Sequence, residues 1–407
     1  MKVLLLCHRA PYPPVAGSKV RAFNVLRHFG RQGHAVTVAT LAHSAAELAE
    51  AQALRDHCAE ILIDRVDAPI AWMRAFASLP TACPSSFAYF HSSSLRRRLR
   101  RSLRADSFDL IFVHSSSMAP YVEGVSGPVK ILDFCDMDSQ KWREYSRQRR
   151  LPLSLGYWLE AVKLERTEAR LAPRFDLCTC ATRAELESLR ALGIESPADW
   201  FPNGVDGEAF QPADGYDANR IAFVGRMDYY PNQQAVTEFC RHVLPLLQQR
   251  RPTLRFDIVG ANPPPSIRLL AHLTGVTVTG TVADVRPYVQ RAALTVAPLR
   301  IARGTQNKVL ESMAMGVPVV CSPEVEKGVD ALAGEHLLCA SGHDELVREI
   351  ERVLDSAALR RQLAHAGRER VLTHHAWSAS MARLDSLVRE AFDRRAESGG
   401  AIHYALH

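Results

Sequence analysis

The run VAPLRIARGTQNKVLESMAMGVPVV (Val296 to Val320) concentrates residues able to do chemistry. An apolar strand ends near Pro298, a loop then carries Arg300, Arg303 and Gly304, and a helix is expected to start near Thr305 or Gln306 and to stop at Gly316. Lys308 and Glu311 are three apart on that helix and so share a face. A glycine, the open N–H groups of a helix start and three cations together suit a diphosphate. Glu311 lies about two turns in, where a carboxylate can accept from two sugar hydroxyls. As a solvated helix pair, Lys308 and Glu311 would contribute only about 0.3 kcal/mol. The flanking strand and the small residues of MAMG argue instead that this helix packs at a site.

Three further loops carry similar potential. In HRAPYPPVAGSKVR (His8 to Arg21), three prolines stiffen the chain, Gly17-Ser18 opens a helix, and Arg21 is expected to add charge for an anion. In FVGRMDYYPN (Phe223 to Asn232), Gly225 permits close backbone approach and Arg226 can pair with phosphate. In GTVADVRPYV (Gly280 to Val289), the backbone around Val282–Ala283 can read a nucleobase edge. Asp136-Met137-Asp138 has the spacing of a metal-binding Asp-x-Asp pair but belongs to the first part of the chain, away from the Val296–Val320 run, so no metal site is expected. Nine cysteines are scattered with only Cys178 and Cys180 close together, which reads as reduced core cysteines in a cytosolic protein.

These loops must be positioned by a framework, and the pattern of apolar runs supplies one. Strands are expected at Lys2–Cys7, Ala35–Leu41, Glu60–Asp64, Leu110–His114, Lys130–Phe134, Asp176–Ala181 and Trp200–Phe201, with helical periodicity between them at Val20–Arg31, Ala45–His57 and Arg183–Leu192. The stretch Pro202 to Asn219 lacks periodicity and reads as a linker. Alternation then restarts at Arg220–Val224, Arg255–Val259, Val276–Thr279, Ala293–Ala297, Pro318–Cys321 and His336–Leu338, with helices at Gln234–Gln249, Asp284–Arg291, Lys308–Met315 and Asp344–Leu354. Near-continuous apolar strands separated by helices indicate parallel sheets covered on both faces. The fold class is therefore α/β, with two doubly wound Rossmann-like domains joined near residue 205 and expected to face a central cleft. The tail after Arg395 is expected to be loose.

At 407 residues, with 47% hydrophobic and 23% charged side chains, the chain has the composition of a globular protein of two or three domains, not of a disordered, fibrous or disulfide-stapled one. No apolar run approaches the roughly 20 residues that a membrane helix needs. Residues 1–150 hold 21 basic and 13 acidic side chains, a net +8, and the remainder is net −2. That asymmetry fits an anionic partner for the first third of the chain. Nucleic acid is disfavoured, because the basic run lacks interleaved aromatics and no recognised module is present.

The Gly-rich first loop, PNGVD at the linker, the VGR loop, GTVADVRPYV and LESMAMGVPVV together resemble a retaining glycosyltransferase of family 4 with the two-domain GT-B architecture. APLRIARGTQNKVLESMAMGVPVV and MDYYPN look closest to the sugar transferases of PEP-CTERM/exosortase exopolysaccharide loci. The resemblance implies an acceptor-side domain at 1–203 and a donor-binding domain at 204–376, with a helix at about 377–395 as a candidate to pack back on the first. It implies a nucleotide-sugar donor held by Gly17, Arg226, Arg303, Gly304, Thr305, Lys308 and Glu311, with His114, Arg226 and Lys308 nearest the chemistry. No cofactor and no metal are implied. Two departures stand out. Arg303 occupies the position of the family's first glutamate, and Pro231 occupies that of a lysine five residues after the arginine. Lys308 is well placed to supply the missing cation.

The implied activity is EC 2.4 hexosyl transfer to a glycan or lipid-linked acceptor in exopolysaccharide synthesis. Two alternatives share the architecture: a nucleotide-sugar 2-epimerase using Asp133 and Asp136, and a non-catalytic nucleotide-sugar-binding protein. The arginine-rich SLRRRLRRSLR (Ser94 to Arg104) and RQRRLPLSLGYWLEAVK (Arg147 to Lys163) are expected to dock a cytoplasmic protein on the inner, anionic face of the bacterial membrane.

Overall fold

The structure, a computed structural model, describes residues 1–14 and 17–397, so the tail from residue 398 lies outside the described residues. The chain divides into two compact units, one formed by Met1–Pro202 together with the chain from Met381 on, the other by Asn203–Ser380.

The first unit is built on β1 (Lys2–Cys7), β2 (Ala35–Ala42), β3 (Glu60–Arg65), β4 (Leu110–His114), β5 (Val129–Cys135), β6 (Leu177–Cys180) and β7 (Ala198–Trp200), in the order β3-β2-β1-β4-β5-β6-β7. The second has β8 (Asp217–Val224), β9 (Arg255–Val259), β10 (Val276–Gly280), β11 (Ala292–Ala297), β12 (Val319–Cys321) and β13 (Leu338–Cys339), in the order β10-β9-β8-β11-β12-β13. Every pairing is parallel. In both sheets the strand order reverses beside the first strand, at β1/β4 and β8/β11. Loops diverge there and leave a crevice beyond the carboxyl ends. The apolar strands are legible because helices cover both faces: β4 is buried along its whole length, as is β11.

Several expected elements change on folding. Ala45–His57 is not one helix but an α-helix, Ala45–Glu50, tightening into a 3₁₀ segment, Ala51–Asp56. Gln234–Gln249 is interrupted by a π-turn at Phe239–Val243, just before Pro245, whose missing N–H cannot continue the regular ladder. The linker is shorter than expected, because β8 begins at Asp217, paired with Ala292. The last helix runs Trp377–Glu397.

Arg21 corrects the reading of the first loop. It is fully buried and unavailable to an outside anion. Its Nε donates to Asp133 Oδ2 at 2.8 Å and its Nη2 to Asp133 Oδ1 at 2.9 Å, while Nη1 donates to the Phe201 carbonyl at 2.9 Å. The guanidinium also lies over the Phe201 ring, 3.5 Å from its centre. Thr179 Oγ1 donates to Asp133 Oδ1 at 2.9 Å. One ion pair therefore ties the helix Gly17–Arg31, β5, β6 and the end of the unit together.

Burial by itself would raise the Asp133 carboxyl, but the Arg21 charge and hydrogen bonds, helped by His114, hold it well below the usual carboxylate range. Its contribution to stability is therefore present above its unfolded value near 4 and is lost only as pH falls far into the acid range. Removing one partner strands a buried charge. Arg21→Met or Asp133→Asn should lower stability by about 3–5 kcal/mol in thermal or urea unfolding, and the double variant should lose less than the sum.

Candidate functional site

The loops singled out by the sequence fall at the carboxyl ends of strands. In the second unit, Gly225 and Arg226 follow β8 and the Leu299–Gln306 stretch follows the adjacent β11, so both loops meet at the reversal point. Gly225 donates to the Val259 carbonyl at 3.0 Å. A Cβ on Gly260 would lie 1.8 Å from the Gly225 oxygen, so that crossing admits only glycine. Gly304 adopts φ +62°, a left-handed turn that ends the Arg300–Gly304 loop before the helix Asn307–Ala314. No side chain caps that helix through Gln306, and Gln306 Nε2 donates to the Arg303 carbonyl at 3.0 Å instead. The helix start therefore keeps donors available for an anion.

Lys308 is the centre of this arrangement. Its Nζ donates to Asn232 Oδ1 at 2.7 Å and sits 4.5 Å from the centre of the Phe223 ring. Asn232 Nδ2 donates to the Arg226 carbonyl at 2.8 Å. Asn232 thus fastens the Gly225–Arg226 loop to Lys308, and a Cβ built on Gly225 would lie 3.2 Å from the ammonium. Burial holds Lys308 down to about 7, with the Glu311 charge opposing it. Burial likewise pushes Glu311 up to about 7 against the pull of Lys308. The two share a helix face without a direct ion pair.

The other cations are engaged differently. Arg226 forms a surface fork with Asp228, at 3.1 Å from Nε and 2.6 Å from Nη2, and Asn262 Nδ2 donates to the same carboxylate at 3.2 Å. Arg300 pairs with Glu238 at 2.8 Å. Arg303, Gly304 and Thr305 line the chain just before the helix, with Gly304 buried and the other two partly open. A cavity of ≈ 330 Å³ opens beside Asn262, Arg268, Val278 and Thr281, at the ends of β9 and β10, adjoining Val282–Ala283.

In the first unit, Gly17 opens the helix Gly17–Arg31 and is exposed. His114 ends β4 and is 2% exposed, with Nδ1 at 2.9 Å from Asp133 Oδ2. An ionised carboxylate accepts, so Nδ1 carries the proton, and Nε2 has no hydrogen-bond partner. Among the described residues, the non-glycine positions with positive φ are Ser115 (84°), Cys135 (64°) and Asn262 (56°). All three sit at the carboxyl ends of β4, β5 and β9, where stored backbone strain marks functional loops. Asp133 has both oxygens committed and cannot be the carboxylate of an epimerase. Asp136 is pushed up to about 7 by burial and by the nearby Glu185. Among the described residues, no group of three or more His, Cys, Asp or Glu is gathered to hold a metal ion. Sequence reasoning missed Asn232 and Asp228, polar members of the MDYYPN segment whose partners are distant in sequence or on the same turn.

Residues 15–209 match the family described as Glycosyltransferase Family 4, and residues 218–356 match glycosyl transferases group 1. Over 246 residues the chain is 26% identical to an MMP alpha-(1->4)-mannosyltransferase of Mycolicibacterium hassiacum, an alignment covering 58% of this chain and 59% of that relative. Sucrose-phosphate synthase from Thermosynechococcus elongatus superposes with a TM-score of 0.72 at 17% identity, over 97% of this chain and 100% of that one. Anabaena HepE, solved in complex with UDP-glucose, superposes with a TM-score of 0.68 at 12% identity, over 96% and 100%. Two glycosyltransferase models thus match consecutive stretches of the chain, and its fold is GT-B.

The Asn232 clamp gives a direct test. Asn232→Ala should leave the Lys308 ammonium without its acceptor, lowering stability by about 1–3 kcal/mol. Gly225→Ala, which forces the Asn232 amide and Lys308 to move, should have a comparable effect in the same unfolding measurement. Unchanged unfolding in both variants would show that the clamp contributes nothing.

Proposed function

We propose that the protein transfers a hexosyl group from a nucleotide-diphosphate sugar to a hydroxyl of a glycan acceptor, with retention at the anomeric carbon. The observation that carries this reading is the Lys308 ammonium, fastened by Asn232 beside the Gly225–Arg226 loop. It stands next to the position where Pro231 replaces a lysine of the wider family, and so restores a cation to the diphosphate. Arg226, Arg303, Gly304 and Thr305 complete that grip, and Glu311 accepts from the ribose hydroxyls. As the anomeric carbon–oxygen bond to phosphate breaks, charge grows on the leaving diphosphate. Preorganised cations and helix N–H groups stabilise it there. The acceptor hydroxyl attacks on the face the diphosphate leaves, and its proton passes to the departing phosphate oxygen. Nε2 of His114 can accept a hydrogen bond near the reacting sugar while Asp133 fixes its tautomer.

The UDP-glucose bound by HepE supports a uridine or related nucleotide as donor carrier. The acceptor in this reading is lipid-linked, the setting is exopolysaccharide synthesis of the PEP-CTERM/exosortase type, and the protein works as a peripheral enzyme on the inner face of the cytoplasmic membrane. No helix among the described residues is long and apolar enough to cross a membrane. A screen of nucleotide sugars, first for thermal stabilisation and then for acceptor-dependent release of nucleotide, tests the reaction. A donor that binds but never turns over would overturn it.

Lys308→Ala and Glu311→Ala should each cut kcat/KM roughly 10- to 150-fold, from the loss of one charge-assisted contact. Wild-type kinetics in both would remove the assignment. Activity should survive EDTA; complete loss restored by Mg²⁺ or Mn²⁺ would overturn the metal-free mechanism.

Titration supplies a further check. Lys308 deprotonates near 7 in the free protein, and a bound diphosphate would keep it charged. Binding then takes up a proton. UDP affinity should be full below about 7 and fall as pH rises to 9, by at most tenfold per unit, and Lys308→Met should flatten that slope in calorimetry.

A further inference from the structure

The first unit carries large apolar side chains that its core does not use. Helix Ala68–Ala77 presents Ile70, Trp72, Met73 and Phe76 to solvent at 47%, 56%, 63% and 64% exposure. Leu151, Leu153, Leu155, Trp158 and Leu159 are exposed on the second segment. They crowd the tip of an antiparallel hairpin formed by helices Asp138–Gln148 and Leu153–Leu171. Ser139 N–H donates to Glu168 Oε1 at the base of that hairpin. At 1.5 Å per residue, its tip stands about 20 Å beyond that contact.

The two apolar segments adjoin. Lys163 Nζ donates to the carbonyls of Ser78 and Leu79, and Glu160 accepts from the N–H groups of Ser85 and Ser86. A core that had room for these side chains would have buried them, and a contiguous exposed apolar area of this size marks an interaction surface.

The surrounding charge selects the partner. Residues 66–105 hold seven arginines against one acidic residue, Asp67, and residues 141–150 add Lys141, Arg143, Arg147, Arg149 and Arg150 against Glu144, with Lys141 paired to Asp138 and Arg143 to Glu165. In the helix Ser93–Ala105, however, only part of the basic run is free to face outward. Arg98 donates to the Ile63 carbonyl and Arg96 lies over the Tyr121 ring. Arg97, Arg100, Arg101 and Arg104 are exposed. Apolar side chains rimmed by cations match the headgroup and acyl boundary of an anionic bilayer.

A run of rings starts at this face and ends at the site. Trp72 lies edge-on to Tyr89 at 5.4 Å, Tyr89 stacks on His43 at 5.6 Å, and Phe90 stands 5.5 Å from His43 and 5.1 Å from His8. His8 in turn stacks on His114 at 6.0 Å. His43, His8 and His114 close β2, β1 and β4, three neighbouring strands, and each ring has a buried nitrogen without a hydrogen-bond partner. The partly exposed rings of Tyr89, Phe90, His43 and His8 offer faces to sugars, while the unpartnered nitrogens lie beneath that surface.

We propose that the face formed by helix Ala68–Ala77 and the hairpin tip inserts into an anionic bilayer, and that the Trp72–Tyr89–His43–Phe90–His8 run leads a bilayer-borne saccharide to His114. This rests on the reading of the protein as a glycosyltransferase with a lipid-linked acceptor. Insertion is apolar first, with the exposed arginines adding attraction rather than anchorage.

Vesicles of phosphatidylcholine and phosphatidylglycerol in a 7:3 ratio test the docking without any sugar transfer. The full chain should co-sediment with them, and brominated acyl chains should quench tryptophan emission less once Trp72→Ser or Trp158→Ser is introduced. Trp72→Ser/Phe76→Ser and Leu153→Ser/Leu155→Ser should each weaken vesicle binding at least tenfold while thermal unfolding stays that of the wild type. Replacing Arg97, Arg100, Arg101 and Arg104 with Gln should reduce the salt dependence of binding yet keep the quenching. Binding unchanged in both apolar pairs, or lost only with the arginines, overturns the proposal. So does a dimer in light scattering without vesicles that the apolar pairs dissolve, because the face would then belong to a second copy. The route to His114 is read by Tyr89→Ala, which should raise KM for a vesicle-borne acceptor while UDP affinity stays unchanged; an equal loss of UDP affinity would overturn it. Vesicle binding without sugar transfer would instead count against the function, and transfer without vesicle binding against the docking.

Discussion

A guanidinium removed from water must be enclosed by acceptors, and in the first unit that requirement fixes nearly everything around it. Arg21 meets it with both oxygens of Asp133 and the carbonyl at Phe201. Those acceptors belong to the middle of the sheet and to the strand-end segment just before the unit closes. The first helix consequently has one seat on the sheet, and the carboxylate that receives it also holds His114 in one tautomer. A buried ion pair contributes little net stability against an apolar substitute, but it enforces a single arrangement. Here the arrangement it enforces is that of the histidine at the reversal point.

The second unit works in the opposite sense. Lys308 and Glu311 are half-buried without pairing to each other, and burial displaces both toward about 7 from their ordinary values. The cost is accepted at the crevice of the sheet, alongside the glycine crossing of Gly225 and Gly260 and the left-handed turn at Gly304. Sequences that specify one fold break local rules mainly where function requires it. The concentration of desolvated charge and strained backbone at the carboxyl ends of both sheets follows that rule.

Much of this was legible beforehand. Strands such as β1, β4 and β11 announce themselves because burial on both faces leaves almost no polar residue within them. The Lys308–Glu311 spacing survives because it needs only a helix. Arg21 was misread for a physical reason: beside Gly17-Ser18 it resembled loop charge, yet it shares a helical stripe with Val25 and Phe29, both buried. Its partner Asp133, isolated within the apolar KILDFC, was the second half of that signal. Asn232 had no such signature, since its importance comes from a lysine 76 positions away. The exposed rings of helix Ala68–Ala77 were equally hidden, because periodicity reports which face is apolar but not whether anything covers it.

The last helix bears on how the protein is made. The second unit is continuous in sequence, Asn203–Ser380, whereas the first is completed only by the chain from Met381 on. From that returning segment, Asp385 accepts from His28 and Gln32, and Arg383 bonds the Trp200 carbonyl and Asp199. Translation at about 5–20 residues per second places roughly 10–40 seconds between the emergence of β7 and that of the residues that seal its flank. During that interval the amino-terminal unit has all its strands but lacks its returning helix, and the second unit, begun later, is complete before that helix emerges.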